Sequence, residues 1–138
     1  MDPTKKRLKH VLTDFPIEGV LPSISIIIPT CNSVHRLATT LDSVLRQDYA
    51  DFEVIIVDAS STDGTLDFVA NYHQDRLRVY TVSDYAFFEM LNRGIAIAKG
   101  EYVTFLKPGD FYLAIHALMN IAHIAVHGNL PQLVYYIY

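Results

Sequence analysis

Ile24-Ser25-Ile26-Ile27-Ile28-Pro29-Thr30-Cys31-Asn32 decides how the chain is read. A run of β-branched residues stops at a proline, gives way to small polar residues and leads straight into a helical pattern. A strand buried on both faces of a parallel sheet reads as such a continuous apolar run. Ligands of open α/β sheets sit just outside the carboxyl ends of these strands. The question is then what gathers around Pro29, Thr30 and Asn32.

Working outward, Ser33 is placed as a helix N-cap, and Val34, Leu37, Ala38, Leu41, Val44 and Leu45 mark one helical face to about Gln47. Phe52–Asp58 is a second buried strand, followed by small polar residues from Ala59 to Gly64 and a helix carrying Leu66, Val69 and Tyr72. Leu77–Val82 reads as a short third strand at a sheet edge. Tyr85–Lys99 reads as a helix closed by Gly100 in the C′ position. Glu101–Leu106 is a fourth strand, Lys107-Pro108-Gly109-Asp110 a tight turn, and Phe111–His127 a helix stopped by Gly128. Leu130–Tyr138 is expected to be a fifth strand, in or just after which the chain stops. Upstream, residues 1–23 form a lead-in in which Leu8, Val11 and Leu12 suggest one or two helical turns. Alternating strands and helices imply one α/β domain over 24–138: a mostly parallel sheet with helices on both faces and right-handed crossovers.

Bulk composition excludes several classes of function. The chain has 138 residues, 51% hydrophobic and 19% charged, which suits one globular domain rather than a disordered segment. Its net charge of −4 argues against nucleic acid as a partner. The basic cluster Lys5-Lys6-Arg7 with Lys9 reads as a solvated tail. A single cysteine, Cys31, cannot make an intrachain disulfide, and a reducing, cytoplasmic setting is expected. No apolar run reaches the ~18 residues of a membrane span.

The first turn lacks glycine, so neither the dinucleotide fingerprint nor the P-loop is present. Ile24–Asn32 instead resembles the Ser-Ile-Ile-Ile-Pro-Thr-Tyr-Asn opening of family-two glycosyltransferases. Ser43-Val44-Leu45-Arg46-Gln47-Asp48-Tyr49 is similar to that family's Ser-Val-Leu-x-Gln-x-Tyr. Phe52–Asp58 with Ser60–Thr65 resembles its Phe-Glu-Ile-Ile-Val-Val-Asp-Asp-Gly-Ser-Thr-Asp-Gly-Thr. Asn92-x-Gly94-Ile95, Ala98–Val103 and Phe105-Leu106 resemble later motifs in the same order, and Asp84–Ile95 is close to a stretch seen in bacterial polysaccharide-building members.

The resemblance implies a GT-A fold whose nucleotide-binding half is present and whose acceptor half, with its general base, is absent. It implies transfer of a sugar from a nucleotide-sugar donor, a UDP-sugar, to a hydroxyl acceptor with inversion. By position, Pro29, Thr30, Asn32 and Asp58 would hold the base and ribose, with Ser60 beside them and Asn92 tying a helix to the loop below the site. Other roles stay open: a turn-closing carboxylate for Asp58, a local turn bond for Asn32, a buried structural bond for Asn92, and helix capping for Thr62 and Asp63. Two departures stand out. Ala59 replaces a second Asp, and Lys107-Pro108-Gly109-Asp110 replaces Asp-x-Asp-Asp. A divalent metal, Mn or Mg, would have only Asp110 as a carboxylate ligand, while Lys107 could face the diphosphate as a point charge; reduced or absent metal dependence is expected.

His116, Asn120, His123 and His127 fall at helical spacings and read as the polar face of an amphipathic helix rather than a zinc site. Cys31, where the family has Tyr, reads as a small packed residue. An unpaired strand edge near Val134–Tyr138 predicts a homo-oligomer or a fragment whose missing half covers it. The alternative to a glycosyltransferase is a non-catalytic, degenerate nucleotide-binding or protein-interaction domain.

Overall fold

The computed structural model describes residues 21–127. The lead-in turns around Leu8, Val11 and Leu12, the stop at Gly128 and the strand Leu130–Tyr138 lie outside the described residues. Strand β1 (Ile24–Thr30) leads to helix α1 (Val34–Leu45), β2 (Phe52–Asp58), α2 (Thr65–Ala70), β3 (Leu77–Thr81), α3 (Phe87–Ile97), β4 (Tyr102–Phe105) and α4 (Ala117–His127). The strands pair in parallel in the order β3-β2-β1-β4. Among the described strands β3 is an edge, as its alternating sequence predicts.

β1 is buried along its whole length because both faces are covered. Ile24, Ile26 and Ile28 pack with Leu37, Leu41 and Val44 of α1 and with Leu118 and Ile121 of α4. Ile27 packs on the opposite face with Ile55, Val57 and Met90 of α3. Each fully buried isoleucine or leucine contributes about 1.5–3 kcal/mol of burial free energy. α3 approaches β1 closely at Gly94, where an added Cβ would lie 2.6 Å from Ile27 Cγ2.

A proline in a central strand needs explanation, because proline cannot donate to the ladder. β1 pairs β4 only from Ile24↔Tyr102 to Ile27↔Phe105, and the last bond runs from Leu106 N to Ile27 O. The Thr30 carbonyl accepts from Ala59 N, on the β2 side. Backbone groups alternate sides along a strand, so Pro29 turns toward the β4 side, where pairing has ended. The chain parts there, between the ends of β1 and β4.

Three expectations are corrected. Gly100 does not cap α3 in a left-handed conformation. The helix ends at Ile97, Ala98 is already extended, and the next amides bond to side chains: Lys99 N to Glu53 Oε1 (2.7 Å), Gly100 N to Ser25 Oγ (2.8 Å) and Glu101 N to Ser23 Oγ (3.0 Å). Gly100 is required by proximity, since a Cβ would sit 2.6 Å from Ser25 N. Phe111–His116 is not helical. Its backbone and the start of α4 are held by α1 and the residues just after it: Tyr112 N donates to Ser43 Oγ (3.1 Å), Gln47 Nε2 donates to Ala114 O (2.7 Å), Asp48 N donates to Ile115 O (3.0 Å) and Leu118 N donates to Gln47 Oε1 (2.9 Å). Tertiary bonds thus override helix propensity for a turn and a half. Lastly, His116 and His123 share no polar face. His116 precedes α4 and pairs with Asp48, whereas His123 is buried.

The Glu53 carboxylate gathers Ser25, Lys99 and Arg78 at the amino end of the sheet. Burial pushes its carboxyl up, but the Lys99 amide, the Ser25 hydroxyl and the Arg78 guanidinium outweigh it and hold it below its ordinary 4.5. A depressed carboxyl stabilises the fold above pH 4.5, and that contribution is lost as pH falls through the lower folded value. Glu53→Gln is therefore expected to cost about 1–3 kcal/mol at neutral pH in denaturant titrations. The gap to the parent should close in acid; a gap independent of pH would remove this assignment. Gly94→Ala should cost about 1–3 kcal/mol through overlap with Ile27, and an unchanged melting temperature would show that α3 can move aside.

Candidate functional site

Two loops meet at the carboxyl ends of β1 and β2. Asp58 is fully buried, and its carboxylate accepts from Thr30 Oγ1 (2.6 Å), Ser61 N (2.8 Å) and Ser61 Oγ (2.6 Å). Bonds to a buried carboxylate are charge-assisted, at about 1.5–3 kcal/mol each. Ser61 Oγ in turn accepts from Asn32 N (2.8 Å), and Asn32 Oδ1 accepts from Thr62 N (2.8 Å). Asn32 has φ +49°, a left-handed conformation that asparagine tolerates.

Asp63 completes the lock by serving two helices. It accepts from Val34 N at the start of α1 (3.1 Å), and from Thr65 N (3.0 Å) and the Thr65 hydroxyl at the start of α2. The Thr65 hydroxyl, with the Val34 and Thr65 amides, holds the Asp63 carboxyl below its ordinary value against a smaller desolvation effect. The expected α2 capping by Asp63 is present, and its extension to α1 displaces the expected Ser33 cap. Ser33 occupies the N-cap position, but its hydroxyl bonds to Cys31 O (3.1 Å). Thr62 caps nothing; it holds Asn32.

Ser60 also has φ +49° and donates its hydroxyl to Val82 O (2.7 Å). The family motif has glycine at this position, and glycine adopts such a conformation without steric cost.

Beside this lock, between the parting ends of β1 and β4, lies a crevice of about 590 Å³. Pro29, Cys31, Ser33 and Arg36 line one side; Lys107, Pro108 and Asp110 line another; Tyr85 and Phe87 complete it. The Lys107–Asp110 turn closes through Asp110 N to Lys107 O (2.9 Å) and Lys107 N to Asp110 Oδ2 (3.1 Å), with Gly109 at φ +102°. Gly109 N donates to Thr40 Oγ1 (2.8 Å), which ties the turn to α1. Lys107 Nζ lies 5.1 Å from the centre of the Phe87 ring. A second, polar cavity of about 280 Å³ adjoins the end of β3, lined by Ser83, Asp84, Glu89 and Arg93 among others.

The expected residues thus divide. Pro29, Lys107 and Asp110 line the crevice. Thr30 and Asp58 are buried behind the loops, while Asn32 and Ser60 are exposed on them. Asn92 is exposed on α3 and lines neither cavity. Sequence reasoning missed Arg36, Tyr85 and Phe87. Tyr85 lies before the helix, which begins at Phe87 rather than at the expected Tyr85. No local signal marks Arg36; its place follows from the Lys107–Asp110 turn, which meets α1 at Thr40, one helical turn later.

Divalent metal ions take oxygen ligands, usually including one or two carboxylates. The turn offers one carboxylate, already facing the Lys107 amide, and puts an ammonium where the family pattern has its first acid. The turn thus brings a single carboxylate, Asp110, to the crevice as a candidate metal ligand.

Fold and crevice define a three-layer α/β domain with its site at the carboxyl edge of a parallel sheet, where strand order reverses. The chain belongs to glycosyl transferase family 2, whose model matches residues 25–112. It is 36% identical over 118 residues to a PGL/p-HBAD biosynthesis glycosyltransferase of Mycobacterium tuberculosis, covering 83% of this chain and 46% of the relative. It is 32% identical over 101 residues to the Escherichia coli UDP-Glc:alpha-D-GlcNAc-diphosphoundecaprenol beta-1,3-glucosyltransferase WfgD, covering 72% and 40%. Among solved structures, the mannosyltransferase PcManGT from Pyrobaculum calidifontis, in complex with GDP-Man and Mn2+, superposes with a TM-score of 0.71 at 28% identity, over 88% of this chain and 39% of that one. S. aureus TarS 1-349 in complex with UDP-GlcNAc gives 0.69 at 30% identity, over 75% and 31%. The fold is the expected GT-A fold, and the chain spans about half the length of the curated relatives it matches or somewhat less.

Ser60 offers a direct test of the loop. Ser60→Ala loses the Val82 bond and keeps the left-handed strain, whereas Ser60→Gly loses the bond and relieves the strain. The glycine variant should be more stable than the alanine variant by about 1 kcal/mol in urea titrations. Equal stabilities would show that the backbone at Ser60 carries no strain.

Proposed function

We propose that residues 24–138 are the donor-binding half of a glycosyltransferase that moves a sugar from a nucleotide-sugar, a UDP-sugar, to a hydroxyl acceptor with inversion. The observation that carries this reading is the crevice at the reversal of strand order, set beside two loops locked through Asp58 and Asn32. Pro29, Thr30, Asn32, Asp58 and Ser60 form its base and ribose end. Asp58 acts from behind by fixing Thr30 and Ser61, since its carboxylate is fully buried. Lys107 and Asp110 form the diphosphate end, and Asn92 orients α3. A uracil ring presents carbonyl acceptors and an imide donor, which loop backbone and hydroxyl groups can match. UDP is favoured because UDP or a UDP-sugar accompanies TarS and is named in WfgD.

Little dependence on metal follows from the single carboxylate of the Lys107–Asp110 turn. No helix among the described residues is long and apolar enough to cross a membrane, and we place the domain in the cytoplasm, in polysaccharide assembly. β4 is an edge among the described strands, with Val103 and Phe105 exposed, and supports pairing with a second copy. The replacement of the first metal-site acid by Lys107 favours a second reading, a domain that binds nucleotide without catalysis.

Calorimetric titration of the chain with UDP tests the reading. Saturable binding is expected, and Asn32→Ala should weaken it about fivefold, the equivalent of ~1 kcal/mol. Absence of binding to both UDP and GDP would leave an interaction module as the better account.

A further inference from the structure

Resting on the donor-site reading, we propose that Arg36 and Lys107 form a two-cation clamp that holds the nucleotide's diphosphate in place of a divalent metal. Both side chains line the same crevice, and neither has a carboxylate partner among the described residues. Their placement is fixed by the fold. The Lys107–Asp110 turn is anchored on α1 at Thr40. One helical turn earlier, the Arg36 stem runs under Gly109, where an added Cβ would lie 3.6 Å from Arg36 Cδ and 3.8 Å from its Cβ. The helix that holds the turn therefore also delivers the second cation.

The charges suit a diphosphate better than they suit a metal. A nucleotide sugar carries one negative charge on each phosphate, and Arg36 and Lys107 match that number. Asp110 faces the turn's own Lys107 amide. A divalent ion in the same crevice would meet an ammonium where its ligand should be. Lys107 rests against Phe87 in a cation–π contact, which at an exposed site is weaker than an ammonium–phosphate bond. The ammonium therefore leaves the ring when phosphate arrives. Arg36 brings a planar fork that can pair two phosphate oxygens at once.

Calorimetry on the whole chain with UDP, inorganic pyrophosphate and uridine tests this, each with manganese and with EDTA. Arg36→Gln and Lys107→Gln should each weaken UDP and pyrophosphate about tenfold and leave uridine unchanged. Arg46→Gln, at the far end of α1, should change none of them. EDTA should shift UDP affinity less than twofold, while raised salt should weaken UDP and pyrophosphate together. A tenfold, manganese-dependent gain in UDP affinity, or an Arg36→Gln variant that binds like the parent, would overturn the clamp and leave the donor-site reading standing. UDP binding no tighter than pyrophosphate, with both lost in the two variants, would uphold the clamp and overturn the base-end assignment.

Discussion

Thr30 and Asp58 face each other across adjacent strands, and the hydroxyl donates to the carboxylate at 2.6 Å with neither residue exposed. A charge removed from water must be met by donors, or it destabilises the fold that contains it. The loop after β2 supplies further donors by bending back, so that the Ser61 amide and hydroxyl reach the same carboxylate. Once Ser61 is placed, Asn32 has its partner, Thr62 has Asn32, and Asp63 arrives where two helices begin. The geometry of the candidate site is thus a chain of obligations that starts from one buried acid.

β2 organises the molecule at both ends by the same means. Glu53, near its start, collects donors from β1, β3 and the segment entering β4. Asp58, at its end, collects them from β1 and its own following loop. The sheet between them is apolar and offers no polar information about register. The two acids supply it, because a slip of either neighbour would strand a carboxylate without partners.

The strands were legible because β1 and β2 are rich in buried β-branched residues, and the motifs around Asn32, Asp63 and Asn92 carried the family. What the sequence hid was long-range. Nothing local says that Ser43 and Gln47 satisfy the backbone after Phe111 and so keep it out of a helix. Nothing local says that His123 turns inward, or that Gly100 is small because Ser25 lies against it. The site was read in part for the same reason. Residues at strand ends declare themselves by position, whereas Arg36 matters only through a turn that lies far ahead in the sequence and rests on its stem.

Pro29 gives the crevice a permanence that packing alone could not. Parallel strands tend to extend their pairing wherever donors and acceptors remain opposite one another, and doing so here would draw Lys107 against the end of β1 and fill the gap. A ring in place of the amide hydrogen removes the donor that such zipping needs, at the residue that faces the gap. The ladder between β1 and β4 therefore stops at Ile27 and Leu106, and the opening begins where the backbone has no donor left to extend it.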